Sequence, residues 1–126
     1  MILKNSLYKI LSSNNEENTF NLELVPDCLI YRVHFPEQPI TPGVCIIQIA
    51  SELLNDLLNT EFELTSVANA KFLAVINPLE TKNIAYSFKK VVPNMETNVV
   101  KVSVVVCNSD TVFTKLSLVY RRNELR

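Results

Sequence analysis

His34-Phe35-Pro36-Glu37-Gln38-Pro39-Ile40-Thr41-Pro42-Gly43-Val44 is the stretch on which the reading of this chain turns. It contains the one histidine and the one glycine of the sequence, nine positions apart. Pro36, Pro39 and Pro42 limit the freedom of the loop between them, so less ordering entropy is lost when the loop presents an imidazole. Thr41 is a suitable N-cap, and Pro42 a suitable first helical residue, since its missing N–H would be unpaired there anyway. Amides at a helix start favour negative charge, and glycine allows a ligand to approach the backbone closely. The stretch therefore combines the parts of a catalytic half-site.

Downstream, residues 42–58 form the one convincing long helix. Val44, Ile46, Ile47, Ile49, Ala50, Leu53, Leu54, Leu57 and Leu58 cover most of its surface. A helix this apolar nearly all round is buried on several sides. Four strand-like stretches follow, at 62–75, 81–92, 99–107 and 112–120, the last two reading as a hairpin across Asn108-Ser-Asp110. Upstream, residues 2–11 carry a weak helical pattern and 12–18 a polar turn. Residues 19–25 alternate Phe20, Leu22 and Leu24 against polar neighbours as a half-buried strand, and 28–33 read as an extended apolar run. One helix wrapped by a strongly curved antiparallel sheet is an α+β layer arrangement.

The bulk properties narrow the function classes. With 126 residues, 48% of them apolar, the chain suits a single domain over 1–126 with a real core. Its formal net charge of −1 offers no basic excess for a phosphate backbone, so nucleic-acid binding is disfavoured. No apolar run approaches the roughly 20 residues of a membrane helix. The N-terminal residues read as part of the fold and not as a signal peptide. Cys28, Cys45 and Cys107 have no metal-type spacing. Their odd number points to free thiols in a cytoplasmic protein, and Cys45, beside the special segment, reads as a small buried apolar residue.

The text His34-Phe-Pro-x-x-Pro-Ile-x-Pro-Gly43-Val44 resembles the signature of the hotdog-fold β-hydroxyacyl-acyl-carrier-protein dehydratases of fatty-acid synthesis. The resemblance continues at Ala70-Lys-Phe-Leu-Ala-Val-Ile-Asn-Pro78 and over 112–122, so it spans nearly the whole chain. It implies a hotdog fold that dimerises, with sites at the subunit interface. The implied reaction removes water from a 3-hydroxyacyl thioester, held on the phosphopantetheine of acyl carrier protein, to give a trans-2-enoyl thioester. No metal or redox cofactor is implied.

The chemistry suits the residues. The proton next to the thioester carbonyl must be taken by a base that titrates near neutral pH, as histidine does. The oxygen that gains charge is stabilised by backbone N–H groups. His34 is therefore the expected base, and Gly43 and Val44 the expected oxyanion donors. The family places an acidic carboxylate fourteen positions after the histidine, where this chain has Gln48. An amide orients a hydroxyl but does not deliver a proton as an acid does, and loss of general acid catalysis costs about 10²–10⁴-fold. Glu52 lies one turn further on the same helix face, where the family commonly has an amide, and is a second candidate acid.

Three functions stay open at this point. The chain is a dehydratase, weakened by Gln48 or specialised for a polyketide or polyene chain. It is a degenerate subunit that pairs with an active homologue. Or it is an acyl thioesterase with a water placed by Gln48. Lys89, Lys90, Arg121 and Arg122 either meet an acidic carrier protein or solvate strand ends. Phe72, Phe88, Phe113 and Tyr120 either pack the core or line an acyl tunnel.

Overall fold

A computed structural model describes residues 2–34 and 37–123; the His34 imidazole, Phe35 and Pro36 lie outside the described residues. The elements run β1 (Tyr8–Asn14), β2 (Thr19–Leu24), α1 (Leu29–His34), α2 (Gly43–Leu58), β3 (Phe62–Phe72), β4 (Asn83–Asn94), β5 (Val99–Cys107) and β6 (Val112–Arg122). The strands form one antiparallel sheet in the order β1-β2-β4-β5-β6-β3. Strands alternate, so Phe20, Leu22, Ile84, Tyr86, Val102, Val104, Leu116 and Leu118 all project from one face and are buried. They meet Cys45, Ile46, Ile49, Ala50, Leu53 and Leu54 of α2 in a single core. This is the α+β hotdog arrangement expected from the sequence.

Polar side chains fix α2 inside the sheet. The Tyr86 hydroxyl donates to the Ile46 carbonyl at 2.9 Å, and Ser51 Oγ meets the Tyr120 hydroxyl at 2.9 Å. Asn59, with φ 49° and ψ 44°, ends the helix in the left-handed region, and its N–H returns to the Asn55 carbonyl. The expected N-cap is different. Pro42 holds that position with an extended backbone and no side-chain bond, and the helix begins at Gly43. Thr41 is buried instead, and its hydroxyl is used elsewhere, as described below.

Two segments depart from expectation. The weak helix at 2–11 is a tight turn followed by β1. Ser6 and Leu7 N–H both return to the Leu3 carbonyl, and Asn5 at φ 67° breaks any helix there. β1 continues through Ser12, Ser13 and Asn14, which read as turn residues, because the ladder with β2 needs only backbone groups. The run at 28–33 is not extended but largely the short helix α1. A six-residue apolar run does not distinguish strand from helix by periodicity. Here Leu29 and Val33 share the exposed side of α1 while Tyr31 is buried.

The remaining strands match within a few residues. β3 ends at Phe72, because Leu73 and Ala74 N–H leave the ladder to share the Phe113 carbonyl. β4 runs past Pro93 to Asn94. Pro93 is tolerated because β2 covers β4 only as far as Ser87, leaving the proline on an open edge. Phe88, Phe113 and Tyr120 are buried in the core, whereas Phe72 is 51% exposed.

Candidate active site

Helix α1 and the head of α2 bracket the proline loop, and one polar chain ties its two ends together. The buried hydroxyls of Tyr31 and Thr41 lie 2.8 Å apart. Thr41 also uses both its hydroxyl (3.1 Å) and its N–H (2.9 Å) on the Ile76 carbonyl. The loop that carries His34 is thus anchored at its far end to the β3–β4 connection. Burial pushes the Tyr31 hydroxyl up to about 12, against a smaller opposing pull from its bond to Thr41. Sequence reading missed this brace. Its partners are ten residues apart across two prolines, and no local periodicity connects them.

Gly43 opens α2, and the reason for glycine is space. A Cβ built there would stand 3.0 Å from Phe72 Cζ, so the ring lies directly over the helix start. The N–H groups of Gly43 and Val44 find no acceptor among the described residues, since the first helical bonds come from Cys45 and Ile46 to the Pro42 carbonyl. Beside them is a cleft of about 480 Å³, bordered by Thr41, Pro42, Gly43, Phe72, Val75 and Ile76. Its lining is mostly apolar, which suits an acyl chain better than a charged metabolite.

Val44, Gln48 and Glu52 follow one another at helical spacing along a stripe of α2, each turn advancing about 6 Å. Val44 is 72% exposed, and Gln48 and Glu52 are half-buried. Gln48 Nε2 donates to Glu52 Oε2 at 2.9 Å. Glu52 also accepts from Leu3 N–H on Oε2 (2.8 Å), and on Oε1 from Lys4 N–H (2.8 Å) and the Tyr8 hydroxyl (3.0 Å). Burial, and next the Glu52 charge, hold the Tyr8 phenol well above its ordinary range. Four donors converge on this one carboxylate, and three of them come from the N-terminal segment. The structure therefore puts Gly43 on the cleft, places Val44 and Gln48 on the neighbouring stripe of α2 outside the cleft lining, and ties Glu52 to the N-terminal segment.

The thiols are free. Burial, with the nearby Cys28, pushes the Cys45 thiol above its ordinary value, which fits a packed apolar residue. Among the described residues, no helix is long and apolar enough to cross a membrane. Exposed apolar side chains include Leu29 and Val33 on α1, Val44 on α2, and, at and just beyond the end of β3, Phe72, Leu73 and Val75, of which Phe72 and Val75 line the cleft.

A family model described as ApeI-like, the ApeI dehydratase, matches residues 11–112. Among solved structures, the chain is similar to the dehydratase heterocomplex ApeI:P from Xenorhabdus doucetiae, at 17% identity over 91% of this chain and 94% of that one, with a TM-score of 0.60. It is also similar to Cj0977, a sigma28-regulated virulence protein from Campylobacter jejuni, at 12% identity over 98% and 90%, with a TM-score of 0.70. A third likeness is to a hypothetical thioesterase with coenzyme A from Streptococcus pneumoniae, at 11% identity over 94% and 88%, with a TM-score of 0.62. At these identities the structural likeness is one of fold. No curated protein sequence matches the chain.

Proposed function

This chain belongs to the ApeI-like dehydratase family, and from that premise we propose that it removes water from a 3-hydroxyacyl thioester to give the trans-2-enoyl thioester. The observation that carries this reading is the pair of amides at Gly43 and Val44 with no acceptor among the described residues, at the far end of the loop that begins at His34 and next to an apolar cleft.

In this reading His34 takes the proton next to the thioester carbonyl. Negative charge moves onto the thioester oxygen, where the Gly43 and Val44 N–H groups receive it. The enolate then collapses to the double bond and releases the 3-hydroxyl. Gln48 holds that hydroxyl by its amide. The proton that converts it to water is the one His34 has just acquired, so the histidine ends the cycle neutral. Glu52 supports Gln48 and the N-terminal segment and does not act as the acid, because each of its oxygens already accepts two hydrogen bonds. The exposed apolar residues around the cleft fit a subunit interface, so the working unit is a dimer in the cytoplasm. The thioester arrives on the phosphopantetheine of acyl carrier protein.

A second reading has one specific support, the likeness to a heterocomplex of dehydratase subunits. There the chain contributes its histidine and amides, and a different subunit contributes the acid that Gln48 is not. Mass spectrometry of a 3-hydroxyacyl carrier-protein thioester separates the cases. Loss of one water with the purified chain supports the first reading. Loss of water only after an active homologue is added supports the second. Release of the free acid identifies a thioesterase and refutes both.

A further inference from the structure

We propose that the outer face of strands β4, β5, β6 and β3 docks an acidic polypeptide segment of another protein. The inference rests on the sheet alone and not on any reading of the cleft.

These four strands hold seven of the twelve Lys and Arg residues and only one, Glu63, of the thirteen Asp and Glu. The net charge of −1 thus conceals a division into +6 on these strands and −7 elsewhere. Composition gave no sign of this, because the two parts nearly cancel.

Register concentrates the charge further. Lys71 stands directly across from Lys115, and Lys101 lies across from both Val92 and Val119. Ser103 lies across from both Ser117 and Lys90. The opposite parity carries the buried Val102, Val104, Leu116 and Leu118, so Lys71, Lys90, Lys101 and Lys115 project away from α2. All four are exposed, and none has an ion pair among the described residues. A shallow groove of about 210 Å³ runs over the small side chains of Ser103 and Ser117, with Lys90 and Lys101 beside it. Like charges placed directly across a ladder are destabilising, so the Lys71–Lys115 pair is a local cost that no ion pair among the described residues relieves. Carboxylates from outside relieve it.

Charge complementarity selects the occupant. Single-stranded nucleic acid needs aromatic platforms on which bases stack, and the residues lining this groove are Lys, Ser, Val, Leu and Ala, none of them aromatic. An anionic bilayer is an extended plane whose charge also meets the −7 carried by the rest of the chain, whereas a short segment can contact this face alone. A second copy docking its acidic part here makes a head-to-tail contact, which does not close without the right rotation and leads to open chains. An acidic segment from a different protein meets none of these objections, and a narrow groove over small residues admits it.

The test is anisotropy of labelled poly-L-glutamate titrated with the full chain at low ionic strength, with heparin and phosphatidylserine vesicles in parallel. The variants are Lys101→Glu/Lys115→Glu on the face and Lys9→Glu/Lys82→Glu away from it, which make the same change in net charge. The proposal expects polyglutamate binding that salt weakens. It expects the face variant to lose affinity by about tenfold or more and the control to change by less than about twofold. The face variant also keeps or raises Tm, because Lys115→Glu relieves the clash with Lys71, so lost binding is not lost folding. Four results overturn it: no binding by wild type, equal loss in the control, tighter binding of heparin or vesicles through the same lysines, or salt-sensitive self-association that the face variant abolishes.

Discussion

Gln48 and Glu52 are joined, Nε2 to Oε2 at 2.9 Å, one turn apart on α2. The bond fixes one end of the Gln48 amide and adds a fourth donor to a carboxylate already held by Leu3, Lys4 and Tyr8. The Gln48 amide and the anchored Glu52 carboxylate are therefore a matched pair. Exchanging one without the other has a cost.

Gln48→Glu shows that cost directly. It removes a donor from Glu52 and sets two carboxylates at i, i+4, so stability should fall by about 1 kcal/mol. The same change supplies a general acid, and turnover of a 3-hydroxyacyl thioester should rise, by as much as about 10²-fold. Chemical denaturation and a rate measurement on the same preparation check both signs. A variant that is less stable and no faster removes Gln48 from the hydroxyl site.

Glu52→Ala leaves the Leu3 and Lys4 amides and the Tyr8 hydroxyl without their acceptor. The loss should be about 3 kcal/mol, the scale of several charge-assisted bonds to part-buried donors. Hydrogen exchange should accelerate first at Leu3, Lys4 and β1, while amides of β5 and β6 keep their protection relative to the global transition.

Gly43→Ala places a methyl group 3.0 Å from Phe72 Cζ. Phe72 is half-exposed and can swing aside, and alanine is the better helix former, so stability should change by less than about 1 kcal/mol. The displaced ring then narrows the cleft, and KM for a long-chain thioester should rise more than for a short one. An equal effect on both would mean that Phe72 does not border the acyl path.

Alkaline pH should unfold the protein through its phenols. Burial pushes Tyr31 and Tyr120 up to about 12 from the ordinary value near 10, and Tyr86 is raised well above it by burial too. The unfolded chain releases these protons first, so the native state binds more protons between those values. Stability should be fully present below about pH 10 and fall as pH rises towards 12. Denaturant midpoints measured across this interval check the sign, and Tyr31→Phe should flatten the slope.

Much of the fold was legible because it is periodic. The 3.6-residue pattern of α2 and the alternation of β2 and β5 survive folding, since each buries one defined face. Residues 2–11 and 28–33 were misread for a shared reason. Leu3 and Leu7 are held by a turn, Leu3, Lys4 and Tyr8 bond to Glu52, forty-four or more residues away, and α1 is six residues long. Neither leaves a local signature. The turns, by contrast, carried an overlooked one. Asn14-Asn-Glu-Glu-Asn18 and Asn94-Met-Glu-Thr-Asn98 share a pattern. In both, the first Asn side-chain oxygen accepts from the amides two and three residues on, and the last Asn takes positive φ, 52° and 58°. Asparagine thus does in these hairpins what glycine does elsewhere. At the candidate site, the position of Gly43 at the start of α2 was legible from the proline and glycine spacing. The Tyr31–Thr41 brace and the anchoring of Glu52 were not, because both are contacts between distant segments.

The most direct measurement is turnover of a 3-hydroxyacyl carrier-protein thioester by wild type and by His34→Ala, followed as loss of one water from the acyl chain. The account predicts an enoyl product from wild type that His34→Ala abolishes while Tm is kept. An enoyl product formed equally well by the two proteins would contradict it.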